Sequence, residues 1–239
     1  MRVPTTKFQN AFGKYLKFVT EEEEVIITKN NKAVAKLIKY NDPMSHVIYE
    51  EAAEYVSTNY QTYNDYLKLA EGNEKRYELI DGEIYVLASP GFTHQMILNA
   101  INVQIFNYLS KSSCGVYVAP FDVKLYNDAA CFEDDPNVVQ PDILVICDHE
   151  NVDGKDRYQG KPSLVVEILS KSTRSKDLMK KLNLYVNSNI PEYWVVDPDA
   201  KDITLYEIID RKITRRSCNK FGETCSSYKF TDMKVCVDI

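Results

Sequence analysis

The first 40 residues combine a helical pattern with a strand pattern. Across residues 5–20 the apolar positions recur at helical spacing, and Thr5 or Thr6 can cap the start of the helix. Apolar runs at 25–28 and 33–38 flank a polar turn and predict a β-hairpin. Because so short a unit buries little surface, we expect it to dimerise or to dock.

The rest of the chain alternates strands with helices. Residues 62–71 predict a short helix, and Asp81-Gly82 between two apolar runs predicts a hairpin. A second helix is predicted over 93–109 and a third over 175–188, and strands are predicted at 116–126, 142–147, 163–170, 191–198 and 203–209, the last at the edge of the sheet. The strand–helix–strand order over 164–197 demands parallel pairing through a right-handed crossover. The predicted fold class is α/β, a mixed sheet flanked by helices.

The composition excludes several classes of protein. Of the 239 residues, 44% are hydrophobic and 27% are charged, as in ordinary globular proteins. No apolar run reaches the roughly 18 residues of a membrane helix, and the N-terminus lacks the apolar core of a signal peptide. We therefore expect a cytoplasmic protein. The six cysteines form no C-x-x-C pair, so reduced thiols are expected rather than a zinc site.

Charge is distributed unevenly along the chain. Residues 1–40 hold eight basic and four acidic residues, a net charge of +4, so the remainder carries −10 of the total of −6. The basic segment suggests an anionic partner. The acidic remainder argues against bulk electrostatic adhesion to nucleic acid, and any phosphate chemistry there requires metal ions for screening.

The N-terminal segment carries F-x-N-x-F-G-K-Y-L at 8–16, followed by E-V-I-I-T-K-N-N-K-A-V-A-K-L at 24–37. Over about residues 3–40 this pattern resembles the Phd/YefM antitoxin family. It implies a small α+β, dimeric, DNA-binding module, with Arg2, Lys7 and Lys14 contacting the operator, and a toxin-antitoxin-type partner. The alternative is a docking or dimerisation module without affinity for DNA. The predicted organisation is this module at 1–45, a linker or connecting helix at 46–60, and a second domain at 61–239.

Two acidic residues interrupt strands that are otherwise apolar. Asp142 heads the run D-I-L-V-I-C, and Glu167 lies within L-V-V-E-I-L-S. A carboxylate in an apolar strand is costly unless it is paired or binds a cation. A salt-bridged structural role explains one such residue, but two on candidate neighbouring strands favour a site.

The helix after Glu167 supplies a cation. Its apolar face is defined by Leu178, Leu182, Tyr185 and Val186. At about 100° per residue, Lys181 falls at the border of that face, whereas Lys180 points to solvent. Asp177, four residues earlier, could hold Lys181 in place. Two carboxylates and a lysine at strand ends suggest a metal-dependent phosphodiesterase centre.

A series of motifs lies in order over about residues 60–208: Y-E-L-I-D-G-E at 77–83, His94, V-x-x-x-P-F-D-V at 116–123, Q-P-D-I-L-V at 140–145, G-K-P-S-L-V-V-E-I-L-S at 160–170, S-T-R-S-K-D-L-x-x-K-L-x-x-Y at 172–185 and I-P-E-Y-W-V-V-D-P at 190–198. This series resembles the restriction-endonuclease-like PD-(D/E)XK superfamily, and within it the bacterial Uma-two (Uma2) family. The resemblance implies a restriction-endonuclease-like fold and an endonuclease acting on nucleic acid, with DNA favoured.

The resemblance also implies residue roles. Asp142, Glu167 and the carbonyl of Ile168 would ligate Mg²⁺ or Mn²⁺, a hard cation that prefers oxygen ligands. Lys181 would position the attacking water or neutralise charge, and Glu78 would be an outer acid. The sequence departs from the superfamily pattern at Leu169, where the E-x-K lysine would stand, and from the family at Lys171, usually a proline.

Further residues have open roles. His94 is either a polar contact near a helix start or a site residue, and Asp122 either assists the metal or pairs with Lys124 or an arginine. Ser170, Thr173 and Arg174 could cap the helix or touch phosphate. Aromatic core packing is the favoured interpretation of Tyr77, Tyr185, Tyr193 and Trp194.

Three functional hypotheses follow. The first is a metal-dependent endonuclease with an antitoxin-like DNA-binding or dimerisation module. The second is a non-catalytic regulator in which the nuclease-like domain is a scaffold. The third, a glycoside hydrolase, lacks a sugar-stacking platform and a pair of opposed acids across a cleft.

Overall fold

The computed structural model describes residues 2–10, 15, 25–29, 32–37, 61–72, 75–126, 131–154, 157–170 and 177–239. Contacts divide the chain into two compact units, Met1–Val56 and Ser57–Ile239. The predicted linker at 46–60 lies outside the described residues, so the proposed boundary stays a prediction. Among the described helices, none combines the length and apolar character needed to cross a lipid bilayer.

The N-terminal unit is a three-stranded sheet with a helix. Its elements are β1 (Arg2–Pro4), α1 (Thr5–Asn10), β2 (Val25–Lys29) and β3 (Lys32–Leu37). β2 is central, parallel to β1 and antiparallel to β3, so the predicted hairpin is confirmed. Val3 and Val25 are buried, and Phe8 and Tyr15 pack against them. Most of the second half of the predicted helix lies outside the described residues.

The C-terminal unit combines strands with helices, and it has strands at 137–139 and 158–159 that the pattern did not predict. Its elements are α2 (Tyr63–Gly72), β4 (Arg76–Ile80), β5 (Glu83–Leu87), α3 (Phe92–Leu109), β6 (Gly115–Val118), β7 (Val123–Leu125), β8 (Asn137–Val139), β9 (Ile143–Ile146), a 3-10 turn (His149–Asn151), β10 (Tyr158–Gln159), β11 (Leu164–Ile168), a π-helical turn (Asp177–Lys181), α4 (Leu182–Asn187), β12 (Glu192–Asp197), β13 (Asp202–Ile209), β14 (Lys212–Lys220), β15 (Thr224–Ser226) and β16 (Lys234–Cys236).

A six-stranded mixed sheet, in the order β14-β13-β12-β11-β9-β6, forms the centre of this unit. β11 and β12 pair in parallel, as the strand–helix–strand segment requires, whereas β9 and β11 pair antiparallel. Both faces are covered. Ile97, Ile101 and Ile105 of α3 pack on one face, and Leu184 and Tyr185 of α4 pack on the other. The predicted α/β fold class is therefore confirmed.

A five-stranded sheet, in the order β10-β7-β8-β4-β5, and the β15–β16 hairpin complete the unit. The turn between β4 and β5 is Asp81-Gly82, and both residues have positive φ, 49° and 73°. Two consecutive left-handed residues are the requirement of a type I′ hairpin turn, which glycine and aspartate tolerate. This turn confirms the strongest hairpin signal in the sequence.

Three predictions about this unit are wrong. Residues 116–126 are two strands in different sheets, β6 and β7, with residues 119–122 between them. β13 is not an edge strand, since β14 pairs along its outer side. Cys114, directly before β6, and Cys147, directly after the neighbouring strand β9, form a disulfide instead of remaining reduced.

Candidate active site

The two acids predicted from the sequence lie opposite each other on neighbouring strands. β9 and β11 are paired so that Ile143 faces Val166, and continuing this register by one residue places Asp142 opposite Glu167. Directly opposed residues of an antiparallel pair project to the same side of the sheet. Every residue of both strands is buried, so the acids stand at the end of an apolar layer.

One oxygen of Asp142 is held by two donors. Its Oδ2 accepts a hydrogen bond of 2.7 Å from the backbone N–H of Ile168 and lies 3.1 Å from Nε2 of His94. His94 reaches this position from the first turn of α3. Within the described part of the chain, Oδ1 has no hydrogen-bond partner, and the Asp142 side chain retains 19% exposure. Asp142 thus keeps one oxygen accessible to a cation.

Glu167 is held by two groups from the following helix. Its Oε1 accepts hydrogen bonds of 2.7 Å from Nζ of Lys181 and of 2.7 Å from the hydroxyl of Tyr185. Lys181 ends the π-helical turn, and Tyr185 lies four residues later in α4, so both project from one helical face. Burial, followed by the nearby charge of Glu167, raises the pKa of Tyr185 well above its usual value, so the phenol stays protonated and donates.

Glu78 joins the same cluster from the second sheet. Its Oε1 lies 2.8 Å from Nζ of Lys181 and accepts a 2.9 Å hydrogen bond from the backbone N–H of Gln140. Glu78, Glu167 and Lys181 are all buried. One ammonium therefore serves two buried carboxylates. Removing a single member of such a group leaves an uncompensated buried charge, which is strongly destabilising.

Asp122 belongs to an adjacent hydrogen-bonded group. Its carboxylate accepts hydrogen bonds from the hydroxyl of Tyr66 at 3.1 Å and from Nε2 of Gln140 at 2.9 Å, and it lies 3.6 Å from Nε of Arg157. Lys124, the other predicted partner, instead contacts Asp153 at 2.9 Å. Gln140 thus connects Asp122 to Glu78, using its side chain for one and its backbone N–H for the other.

The other predicted residues have different placements. Lys180 is half-exposed and pairs with Glu83 and the hydroxyl of Tyr85, in contrast to buried Lys181. Leu169, at the E-x-K position, is buried. Ser170 is half-buried, and Lys7 is exposed on α1. Lys14, Lys171, Thr173 and Arg174, and the side chains of Arg2 and Asp177, lie outside what the structure describes.

Sequence reasoning missed three groups that hold the site. Tyr185 was interpreted as core packing, although its spacing of four residues from Lys181 was a signal that both share a face. Gln140 stands two residues before Asp142, but nothing in the sequence indicates that it joins two acids. Tyr66 in α2 carries no sequence signal for its contact with Asp122.

The donor set restricts which metal could bind. Among the described residues, no group of three His, Cys, Asp or Glu side chains is arranged to hold a metal ion. If two carboxylates and a backbone carbonyl ligate the cation, its remaining coordination positions are left to water or substrate. This is how Mg²⁺ is usually bound, through one or two carboxylates with several retained waters. The oxygen donors of Asp142, Glu167 and Ile168 therefore fit a hard divalent cation.

Two family models match different parts of the chain. Residues 63–235 match the Uma2 family, whose description is "Putative restriction endonuclease". The chain belongs to the Uma2 family. All the acids described above, with His94, Lys181 and Tyr185, fall within the matched Uma2 region, and this membership supports a nuclease. Residues 1–46 separately match the family described as "Antitoxin Phd_YefM, type II toxin-antitoxin system".

Individual relatives extend the comparison. An uncharacterised protein of Synechocystis sp. is 27% identical over 143 residues, which cover 59% of this chain and 71% of the relative. A crystal structure from Anabaena variabilis, titled as a "putative nuclease belonging to DUF820", superposes with a TM-score of 0.52 at 20% identity, over 68% of this chain and 84% of the other. At this identity the superposition establishes a shared fold, the restriction-endonuclease-like arrangement of the Uma2 domain.

Proposed function

We propose that the chain is a metal-dependent endonuclease that hydrolyses phosphodiester bonds of nucleic acid, with DNA favoured. The observation that carries the proposal is the opposition of Asp142 and Glu167 across β9 and β11, with one oxygen of Asp142 open to a cation. Membership of the Uma2 family supports the nuclease activity. Metal dependence is supported by the acidity of the site, because phosphate does not approach such carboxylates without screening.

Asp142, Glu167 and the backbone carbonyl of Ile168 are the proposed ligands of Mg²⁺ or Mn²⁺. When bound there, such a cation stabilises charge on the phosphoryl oxygens and lowers the pKa of a bound water. The chain's own contribution is orientation. His94 and the N–H of Ile168 fix Oδ2 of Asp142, while Lys181 and Tyr185 fix Oε1 of Glu167. Hydrogen bonds of this kind orient the oxygens that would ligate the metal, and their loss lowers metal affinity or activity.

Lys181 supplies the cationic group that the superfamily pattern places two residues after the acid. Leu169 occupies that position and is buried among apolar side chains, so no cation comes from the strand. Lys181 reaches Glu167 from the following helix instead. In the proposed reaction Lys181 neutralises charge beside the phosphate or positions the attacking water, and Glu78 holds Lys181 from the other side.

For the N-terminal unit we propose a DNA-binding or dimerisation role. Its match to the Phd/YefM family supports this, as does the net charge of +4 over residues 1–40. Arg2, Lys7 and Lys14 are the proposed phosphate contacts, in a homodimer placed in the cytoplasm. A toxin-antitoxin-type partner is part of the same proposal.

The decisive experiment is a nicking assay with supercoiled plasmid in Mg²⁺ or Mn²⁺. We expect the purified protein to convert plasmid to open circles, Asp142→Ala to abolish the conversion, and chelation with EDTA to do the same. Asp202→Ala, which removes a half-buried carboxylate paired with Lys220, is the matched control and keeps full activity. Absence of cleavage of both DNA and RNA, together with no calorimetric binding of either metal to the wild type, contradicts the proposal.

A second candidate is a non-catalytic regulator that uses the nuclease-like unit as a scaffold. The observation that favours it is the antitoxin match at residues 1–46. In that case the wild type binds its operator, and Glu167→Ala leaves both the binding and the cellular phenotype unchanged. A phenotype lost in Glu167→Ala, with operator binding retained and the C-terminal unit still folded by circular dichroism, rules the regulator out in favour of the nuclease.

A further inference from the structure

The solvent face of α3 carries a regular stripe of large apolar residues. Phe92 is 81% exposed, Val103 is 53% exposed and Phe106 is 59% exposed, with Met96 also exposed between them. With Asn99 at the centre, these five residues are spaced by four, three, four and three positions. At about 100° per residue they lie within roughly 80° of arc. We call Phe92, Met96, Asn99, Val103 and Phe106 the α3 seam.

The α3 seam lies opposite the face that α3 buries in its own domain. Ile97, Ile101 and Ile105 pack on the six-stranded sheet, about half a turn away from the seam. A helix that is apolar on both sides is normally covered on both sides. Spacing of four and three positions is the pattern by which one helix packs along another.

α3 is also free of charge. Its 18 residues contain no Asp, Glu, Lys or Arg, although 27% of the chain is charged. In a two-fold symmetric interface, residues near the axis meet their own copies. A charge there would face a like charge, so an uncharged helix suits self-association. A nucleic acid or an acidic or basic partner would instead favour a charged surface.

The seam is nearly palindromic about Asn99. Phe92 and Phe106 each lie seven residues from Asn99, and Met96 and Val103 lie three and four residues from it. We propose that a second copy of this chain docks on the α3 seam, with the two α3 helices antiparallel and Asn99 of each copy at the two-fold axis. Phe92 of one copy then meets Phe106 of the other, and the two central amides can hydrogen-bond, which fixes the register.

The exposed area of the seam corresponds to the apolar centre of such an interface. If a fully open Phe presents roughly 200 Å², the four apolar seam residues expose roughly 400 Å² per copy at their observed exposures. A standard interface buries about 800 Å² per partner, with an apolar centre and a polar rim. Gln95, Asn102 and Asn107 flank the seam and supply the beginning of that rim.

Cysteine cross-linking tests the register. In a background lacking the exposed thiols Cys131 and Cys218, Asn99→Cys places a thiol at the proposed axis. We expect full-chain protein carrying Asn99→Cys to form a disulfide-linked dimer on mild oxidation. Asn107→Cys is the matched control, because at a rise of 1.5 Å per residue it lies about 24 Å along the helix from its own copy. Cross-linking of Asn107→Cys as efficiently as Asn99→Cys overturns the antiparallel arrangement.

Sedimentation of the full chain tests the seam itself. We expect Val103→Glu to halve the wild-type mass, because it places two carboxylates in the apolar centre. Ile209→Glu, at a site 50% exposed on β13, is the matched control and keeps the wild-type mass. Circular dichroism melts confirm that both variants fold. A monomeric wild type overturns the proposal, because the seam would then be covered by the chain's own N-terminal residues. A mass that Val103→Glu leaves unchanged also overturns it, because association would then be assigned to the antitoxin-like unit.

Discussion

Nζ of Lys181 lies 2.8 Å from Oε1 of Glu78, a residue more than 100 positions earlier in the chain and in a different sheet. The same ammonium lies 2.7 Å from Oε1 of Glu167. The candidate site is therefore assembled where a helix and two sheets meet, and its charges are linked. Loss of one member alters the state of the others, which makes the site sensitive to single substitutions.

We expect Lys181→Met to destabilise the C-terminal unit by about 3–5 kcal/mol, because Glu78 and Glu167 are left buried without their cation. Urea unfolding followed by fluorescence measures this effect in that unit alone, since Trp194 is the only tryptophan of the chain. The neighbouring change Lys180→Met removes a half-exposed ion pair with Glu83 and is expected to cost less than about 1 kcal/mol. Equal losses in the two variants would contradict the assignment of Lys181 as a shared buried cation.

We expect Glu192→Gln to lower stability by about 1.5–3 kcal/mol, the contribution of a hydrogen bond to a charged group. The buried Glu192 carboxylate accepts four hydrogen bonds, from Nε1 of Trp194, Oγ of Ser227 and the backbone N–H groups of Tyr228 and Lys229. The glutamine amide has an N–H₂ group where the carboxylate had an acceptor oxygen, so some of these hydrogen bonds are lost. Residues 227–229, which lead to β16, are then held less firmly.

Thermal unfolding by circular dichroism measures the effect of Glu192→Gln without relying on Trp194, whose environment the substitution changes. Glu150→Gln, at an exposed position, is the control and should leave the unfolding temperature within a degree of the wild type. An unfolding temperature for Glu192→Gln that matches the control would show that the four hydrogen bonds contribute nothing net.

We expect the cysteines to differ in reactivity at pH 8. Burial raises the pKa of Cys225 to about 12, so this thiol is almost entirely protonated as well as inaccessible. Cys218 is exposed. In a titration with a thiol-disulfide exchange reagent, the number of fast-reacting thiols per chain should therefore fall by one in Cys218→Ser and stay unchanged in Cys225→Ser. Loss of a fast equivalent in Cys225→Ser would mean that the C-terminal hairpin opens readily.

Asp65 should make stability depend on pH at the start of α2. Hydrogen bonds from the side chain and the backbone of Thr62, and then from Lys68, lower the pKa of Asp65 from 3.8 to about 2. Because the folded pKa is depressed, the stabilisation is complete above about pH 4 to 5 and disappears as the pH falls through the folded value. The difference in unfolding free energy between wild type and Asp65→Asn should shrink between pH 5 and pH 2. A difference independent of pH would rule out this carboxylate as the cause.

Local sequence patterns predicted individual helices and turns because these elements depend on residues that are close together in the sequence. Asp81-Gly82 alone determines the hairpin between β4 and β5, and the apolar period over 93–109 predicts α3 to within a residue. The parallel pairing of β11 and β12 follows from chain connectivity. The single strand predicted over 116–126 failed because alternation of apolar residues carries no information on which sheet each half joins.

The sequence by itself determined the fold class, most of the longer elements and the two acids that the structure places opposite each other, since carboxylates are conspicuous in apolar strands. It placed Lys181 only at the border of its helical face. In the structure both residues belong to the π-helical turn, where Lys181 is 3% exposed whereas Leu178, predicted on the apolar face, is 39% exposed. The pairing of Lys181 with Glu78, the bond from Tyr185 to Glu167 and the contact between His94 and Asp142 each join different elements of the fold. Tertiary packing alone decided them, because a side-chain contact depends on distance in space and not on position in the sequence.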